Sequence, residues 1–250
     1  MEHRFFFFAG GDYREGKGNA FTANFIRYQK EILGDRFSLI TGIYGTSPVG
    51  NVIWALNRAQ APLTDFDKHP LLATSISQII DDPRIRTSKI TLVSSSFGSV
   101  VAAQTACKLA ELHLHDNIFS HPFDIALGAS MIHPESKLYR QLQHYQNAGV
   151  IGKVLYDDLQ DEGDNSNGMG GLNRMQGYRN GLGICFPFLT TKFKGPSFLN
   201  NDPVKGHLHR VRAQSMQKAK DFVKVIFVDH EMAGEDARER AFSILSSSPA

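Results

Sequence analysis

The chain is short of cysteine, of net charge and of long apolar runs. Its 250 residues include only 2 cysteines, Cys107 and Cys185, too few for a disulfide framework. Lys and Arg together number 27 and Asp and Glu 25, a formal charge of +2. That balance lacks the strong basic excess by which nucleic-acid surfaces are usually recognised, so no nucleic-acid partner is expected. The most apolar runs, such as Phe5–Ala9 and Val223–Val228, fall well below the roughly 18 residues a spanning helix needs. No membrane span is expected. Met1-Glu-His-Arg enters a strand-like run at once, without the basic lead, apolar stretch and small-residue cleavage site of a secretory leader. A cytoplasmic location is the corresponding expectation. Internal repeats, linkers and low-complexity tracts are also lacking.

What is present is the composition of a folded domain, 42% hydrophobic and 21% charged. The length suits one large α/β domain spanning 1–250. Strand-like and helix-like segments alternate. Arg4–Ala9 is a continuous apolar run closed by Gly10-Gly11, as expected of a strand covered on both faces. Asn19–Leu33 has helical spacing and ends at Gly34, a residue suited to a helix C-terminus. Phe37–Tyr44 reads as a strand, Val49–Ala59 and Pro70–Ile80 as helices, Lys89–Ser95 as a strand and Gly98–His113 as a helix. Phe123–Ala129 and Val150–Tyr156 read as further strands flanking a helix over Glu135–Asn147. The polar, Gly-rich Asp157–Gly171 is a long loop, and residues 172–203 are irregular enough to form a cap or lid. His209–His230 reads as a C-terminal helix. The pattern predicts βαβ units, and so a three-layer α/β sandwich with a mainly parallel central sheet flanked by helices. In such sheets ligands bind beyond the C-terminal strand ends.

The sharpest chemical signal is Ser94-Ser95-Ser96-Phe97-Gly98, between a strand and a helix. A nucleophile on so tight a turn needs small residues two positions before and after it. Ser94 follows Leu92 by two. Ser95 lies between Val93 and Phe97, and Ser99 between Phe97 and Val101. Only Ser96 has small residues, Ser94 and Gly98, on both sides. A serine-rich strand end followed by glycine is also ordinary punctuation, so the motif is relaxed in its specificity.

On this nucleophile elbow, and on the order of the residues that follow it, the chain resembles the α/β-hydrolase superfamily. The resemblance spans most of the chain as a pattern. It implies an esterase- or lipase-like serine hydrolase in which nucleophile, acid and histidine follow in that order. Ser96 corresponds to the nucleophile. His207, before the C-terminal helix and after Gly206, corresponds to the general base, with His209 as its competitor. The acid falls to Asp161 or Asp164, since Asp157 and Asp158 sit too close to the preceding strand. The oxyanion hole would use the backbone N–H of Phe97 and donors from Gly11 and Asp12. The catalytic triad would be completed without a cofactor. The first flank is Ser94 where the family usually has glycine, and no extra strands precede Arg4, so a sheet with a reduced N-terminal part is expected.

Two other readings use the same residues. His207 and His209 with the Asp161/Asp164 loop offer ligands for a metal-dependent hydrolase. A non-catalytic binding protein on the same scaffold is the third reading, because fold alone does not carry activity. Gly16-Lys17-Gly18 matches neither common nucleotide motif, and the acidic loop lacks the spacing of a calcium-binding loop. Phe186, Pro187, Phe188, Leu189, Phe193 and Phe198 would line an acyl pocket or, more simply, belong to the core. His113, His115, His133 and His144 read as surface residues, Cys107 and Cys185 as packed ones. The partner implied is a small-molecule ester or acyl substrate, with oligomeric state left open.

Overall fold

The computed structural model describes residues 2–9, 26–40 except 28 and 32, 48–128 except 96, 130–156, 170–172 and 175. Five strands, β1 (His3–Phe8), β2 (Phe37–Ile40), β3 (Lys89–Ser95), β4 (Phe123–Gly128) and β5 (Ile151–Tyr156), form one sheet in the order β2-β1-β3-β4-β5. Every pairing is parallel. Helices occupy the connections: α1 (Pro48–Arg58), α2 (Pro70–Ile80), α3 (Gly98–Asp116) and α4 (Lys137–Asn147). The described residues of 26–33 are also helical. No helix among the described residues is long and apolar enough to cross a membrane.

The four phenylalanines of β1 explain its place beside the middle of the sheet. Phe5, Phe6, Phe7 and Phe8 are all buried, although successive side chains point to opposite faces. Both faces of this strand are therefore covered, each ring contributing about 2–3 kcal/mol of apolar burial. Phe6 and Phe8 join the main core with Leu92, Val100, Ala103 and Ile125. On the opposite face Phe7 stacks on Phe37, ring centroids 6.2 Å apart.

The strand boundaries follow the sequence closely, and two helices differ in extent. Helix α3 continues past His113 to Asp116. It stops where Asn117 adopts φ +49° and donates its N–H to the His113 carbonyl. The His113 ring is half-buried rather than a free surface group, because its Nδ1 accepts the Phe119 N–H at 3.2 Å. Helix α4 begins two residues later than the apolar spacing suggests. Ser136 is its N-cap and accepts the Tyr139 N–H at 3.2 Å. Gly34 has φ +56°, the left-handed conformation expected of a residue ending a helical segment.

The N-terminal edge of the sheet is fastened by charge. Arg4 in β1 is buried, bonds the Asp35 carbonyl and pairs with the Asp82 carboxylate. Arg84 pairs with Asp35 at 2.6 Å and with Glu2 at 3.3 Å. Lys89 pairs with Asp124 at 3.0 Å, and the other Asp124 oxygen accepts the Lys153 N–H at 2.9 Å. These contacts tie β1, β3, β4 and β5 together at the end away from the candidate site.

Candidate active site at the C-terminal edge

The strand ends form one level row. Phe8 pairs with Ile40 on one side and Ser94 on the other, Ser94 with Leu127, and Leu127 with Tyr156. The segments after β1, β3, β4 and β5 therefore leave the sheet along the same edge. Between β1 and β3 the chain order reverses: β2 lies on the outer side of β1, while β3, β4 and β5 run the other way. Such a reversal opens a crevice at the strand ends because the connections on its two sides diverge. Ser96 follows β3 at this point, and Gly11 and Asp12 follow β1.

Gly98 fixes how closely the two sides approach. A Cβ added there would lie 2.1 Å from the Phe8 carbonyl oxygen and 2.6 Å from that of Ala9. The first residue of α3 is thus pressed against the backbone at the end of β1. No side chain fits, which is the physical content of the small-residue requirement two positions after Ser96.

The serines around position 96 are committed elsewhere. Ser94 is buried, and its hydroxyl donates to the Ala126 carbonyl at 3.0 Å, so β4 holds the flank that is glycine in the usual pattern. Ser99 is fully buried and its Oγ accepts the Met131 N–H at 3.0 Å. Neither hydroxyl is placed for nucleophilic attack. Phe97, with φ −55° and ψ −34°, precedes α3 in helical conformation. At that position the backbone N–H has no intrahelical acceptor, and the helix dipole is positive. A developing negative charge is favoured there.

The segment after β4 is knitted to this region, a feature the sequence did not disclose. Ser130, Met131 and Ile132 are fully buried. Met131 receives a hydrogen bond from the Gly170 N–H at 2.9 Å, and Ile132 one from the Tyr156 hydroxyl at 2.8 Å. Gln60, at the end of α1, donates its side-chain amide to the Gly170 carbonyl at 2.9 Å. Only the glycine pair at 170–171 hints at this in the sequence. A Cβ on Gly170 would lie 2.2 Å from the Cβ of Ala59, and Gly171 has φ +67°.

His133 lies on the same edge, half-buried rather than fully at the surface. Its Nδ1 accepts the Glu135 N–H at 3.1 Å. That bond occupies the lone pair at Nδ1 and leaves the proton of the neutral ring on Nε2, so His133 is poorly suited to act as a general base. No group of three or more His, Cys, Asp or Glu able to hold a metal occurs among the described residues. Cys107 is buried in α3, and burial pushes its thiol far up from the ordinary range. The carboxyls held below their usual range, Asp82 and Asp35, belong to the opposite edge.

Of the residues predicted to form the site, Phe97 is described. Ser96, Gly11, Asp12, Asp161, Asp164, His207 and His209 lie outside the described residues, as do Cys185, the helix expected at His209–His230 and nearly all of 172–203. No family model, curated protein or solved structure matches the chain.

Proposed function

We propose that the protein is a serine hydrolase of the α/β-hydrolase type, a three-layer sandwich with a reduced N-terminal part, cleaving an ester or related acyl bond. The observation that carries the reading is the contact of Gly98 with the Phe8 and Ala9 carbonyls at the β1/β3 reversal. It supplies the close packing that a nucleophile elbow at Ser96 requires and sets the loop after β1 beside it. In this reading the Ser96 hydroxyl attacks the acyl carbon while His207, or His209, takes its proton. The oxyanion is met by the backbone N–H of Phe97 and by donors from Gly11 and Asp12. The protonated imidazole then releases its proton to the leaving alcohol. Water, deprotonated by the same imidazole, hydrolyses the acyl-enzyme and restores the serine.

Chain geometry also favours a late acid. Two strand spacings separate β3 from β5, about 10 Å. Asp157 and Asp158 extend at most about 7 Å beyond Tyr156, whereas Asp161 and Asp164 have the reach to orient an imidazole beside Ser96.

A fluorophosphonate probe tests the assignment. Wild-type protein is expected to be labelled at one serine and to hydrolyse short p-nitrophenyl esters, with both lost in Ser96→Ala. Undiminished labelling of Ser96→Ala overturns it.

A further inference from the structure

Both ends of the acidic segment 157–169 are fastened to consecutive residues of the segment after β4. At the entrance, the Tyr156 hydroxyl donates to the Ile132 carbonyl at 2.8 Å. At the exit, the Gly170 N–H donates to the Met131 carbonyl at 2.9 Å. The Met131 N–H is in turn held by Ser99 Oγ, in the first turn of α3 and three residues from Ser96. The exit is held from a second side. Gln60 is buried, and its Nε2 donates to the carbonyls of both Leu56 and Gly170. The Gln60 carbonyl accepts the Leu138 N–H at 3.1 Å, which ties the end of α1 to α4.

We infer that Gln60, Gly170 and Met131 form a clasp that fixes where the acidic segment returns to the sheet, and that Gln60 is thereby a positioning residue for the carboxylate of Asp161 or Asp164. This assignment rests on the serine-hydrolase reading for its chemistry but not for its geometry. A side-chain amide suits the task because one nitrogen presents two N–H donors to two carbonyls. A glycine is required at 170 because the approach to Ala59 leaves no room for a Cβ. The loop is closed at both ends against one short, fully buried stretch, so its carboxylates are confined near the elbow rather than free along the edge. Small errors in such positioning lower turnover steeply while leaving substrate binding largely intact.

The test compares the full-length wild-type chain with Gln60→Leu and, from the loop side, Gly170→Ala. Two readouts are followed: ester hydrolysis, resolved into kcat and KM, and the rate of Glu-C cleavage after Glu162 at a temperature where both variants remain folded. The expected result is a fall in kcat of about tenfold or more with KM within about twofold, together with cleavage accelerated about tenfold as the exit is released. Unchanged kcat, or equal losses in kcat and KM without faster cleavage, overturns the clasp as a positioning device. If wild-type protein is neither labelled by fluorophosphonate nor active on esters, the hydrolase reading falls and with it the role assigned to the carboxylate. The tether itself is then decided by cleavage alone: faster cutting in either folded variant supports it, and unchanged cutting in both removes it.

Discussion

Replacing Gly98 with alanine sets two physical rules against each other. Glycine in a helix is about 1 kcal/mol less favourable than alanine, so propensity alone predicts that Gly98→Ala stabilises α3. The packing predicts the reverse. The new methyl would stand 2.1 Å from the Phe8 oxygen, 2.6 Å from the Ala9 oxygen and 2.7 Å from the Phe8 carbonyl carbon. All three atoms are backbone, so no side-chain rotation relieves the overlap. To restore ordinary contact, α3 and β1 must separate locally by more than an ångström, in a core where Val100, Val101 and Phe8 are fully buried. Overpacking of this kind costs about 1–3 kcal/mol and more where the backbone must move. A net loss of about 2 kcal/mol is expected after the gain in propensity, which for a chain of this size lowers the melting temperature by roughly 4–8 °C. Thermal unfolding followed by circular dichroism, with urea titration as a second measure, checks this. Gly34→Ala is the comparison. Gly34 has φ +56° and open space around it, so its alanine variant meets only backbone strain, about 1–2 kcal/mol. A Gly98→Ala protein that melts at or above the wild-type temperature would show that β1 and α3 do not meet as described, and the support for an elbow at Ser96 would go with it.

Two further outcomes follow from groups buried elsewhere. Burial raises the Asp82 carboxyl, but the Arg84 N–H and the Arg4 and Arg84 guanidinium groups outweigh it and hold the group below the ordinary carboxylate range. A depressed folded-state value stabilises the fold above the unfolded value near pH 4 and is lost as pH falls through the folded one. Asp82→Asn should therefore destabilise the protein at neutral pH by about 3 kcal/mol, since it leaves buried Arg4 without its carboxylate, and should flatten the loss of stability below pH 4. Urea midpoints measured from pH 3 to 7 read both effects, and an unchanged acid slope would remove Asp82 from the account. Cys107, deep in α3 with its thiol pushed upward by burial, should resist Ellman's reagent in native protein at pH 8 and react only on unfolding. The measurement uses Cys185→Ala so that one thiol is read, and rapid labelling of the folded chain would contradict the packing of α3.

The sequence showed most clearly what depends on neighbours along the chain. The unbroken phenylalanine run at β1, the β-branched residues of β3 and the apolar spacing of α2 each report a local environment, and those elements fall where the pattern puts them. The small-residue rule at Gly98 was legible for the same reason: it concerns one turn, and its cause, the Phe8 and Ala9 carbonyls, could be anticipated without being located. Contacts across long separations left no such mark. Arg4 meets Asp82 from 78 positions away, and Gln60 meets Gly170 across 110. A lone arginine in an apolar strand or a glutamine at a helix end looks the same with or without its partner. The order of strands was likewise implicit only in the alternation of elements, because periodicity reports which face a residue uses and says nothing of which strand lies beside it.

The two edges of the sheet are held by different forces, and this separates stability from chemistry. Glu2, Asp35, Asp82, Arg84, Lys89 and Asp124 concentrate the sheet's ion pairs at the N-terminal edge. At the C-terminal edge the described contacts are neutral hydrogen bonds: Ser94 to Ala126, Met131 to Ser99, Tyr156 to Ile132, and Gln60 and Gly170 to each other. Neutral bonds can organise a crevice without placing fixed charges beside a reacting serine and imidazole, whose balance of protonation a nearby unpaired charge would shift. They are also largely insensitive to acid. Mild acidification should therefore weaken the N-terminal edge through Asp82 and Asp35 while leaving the clasp around Met131 intact, so a pH profile of activity measured on folded protein reports the imidazole rather than the loosening of the sheet.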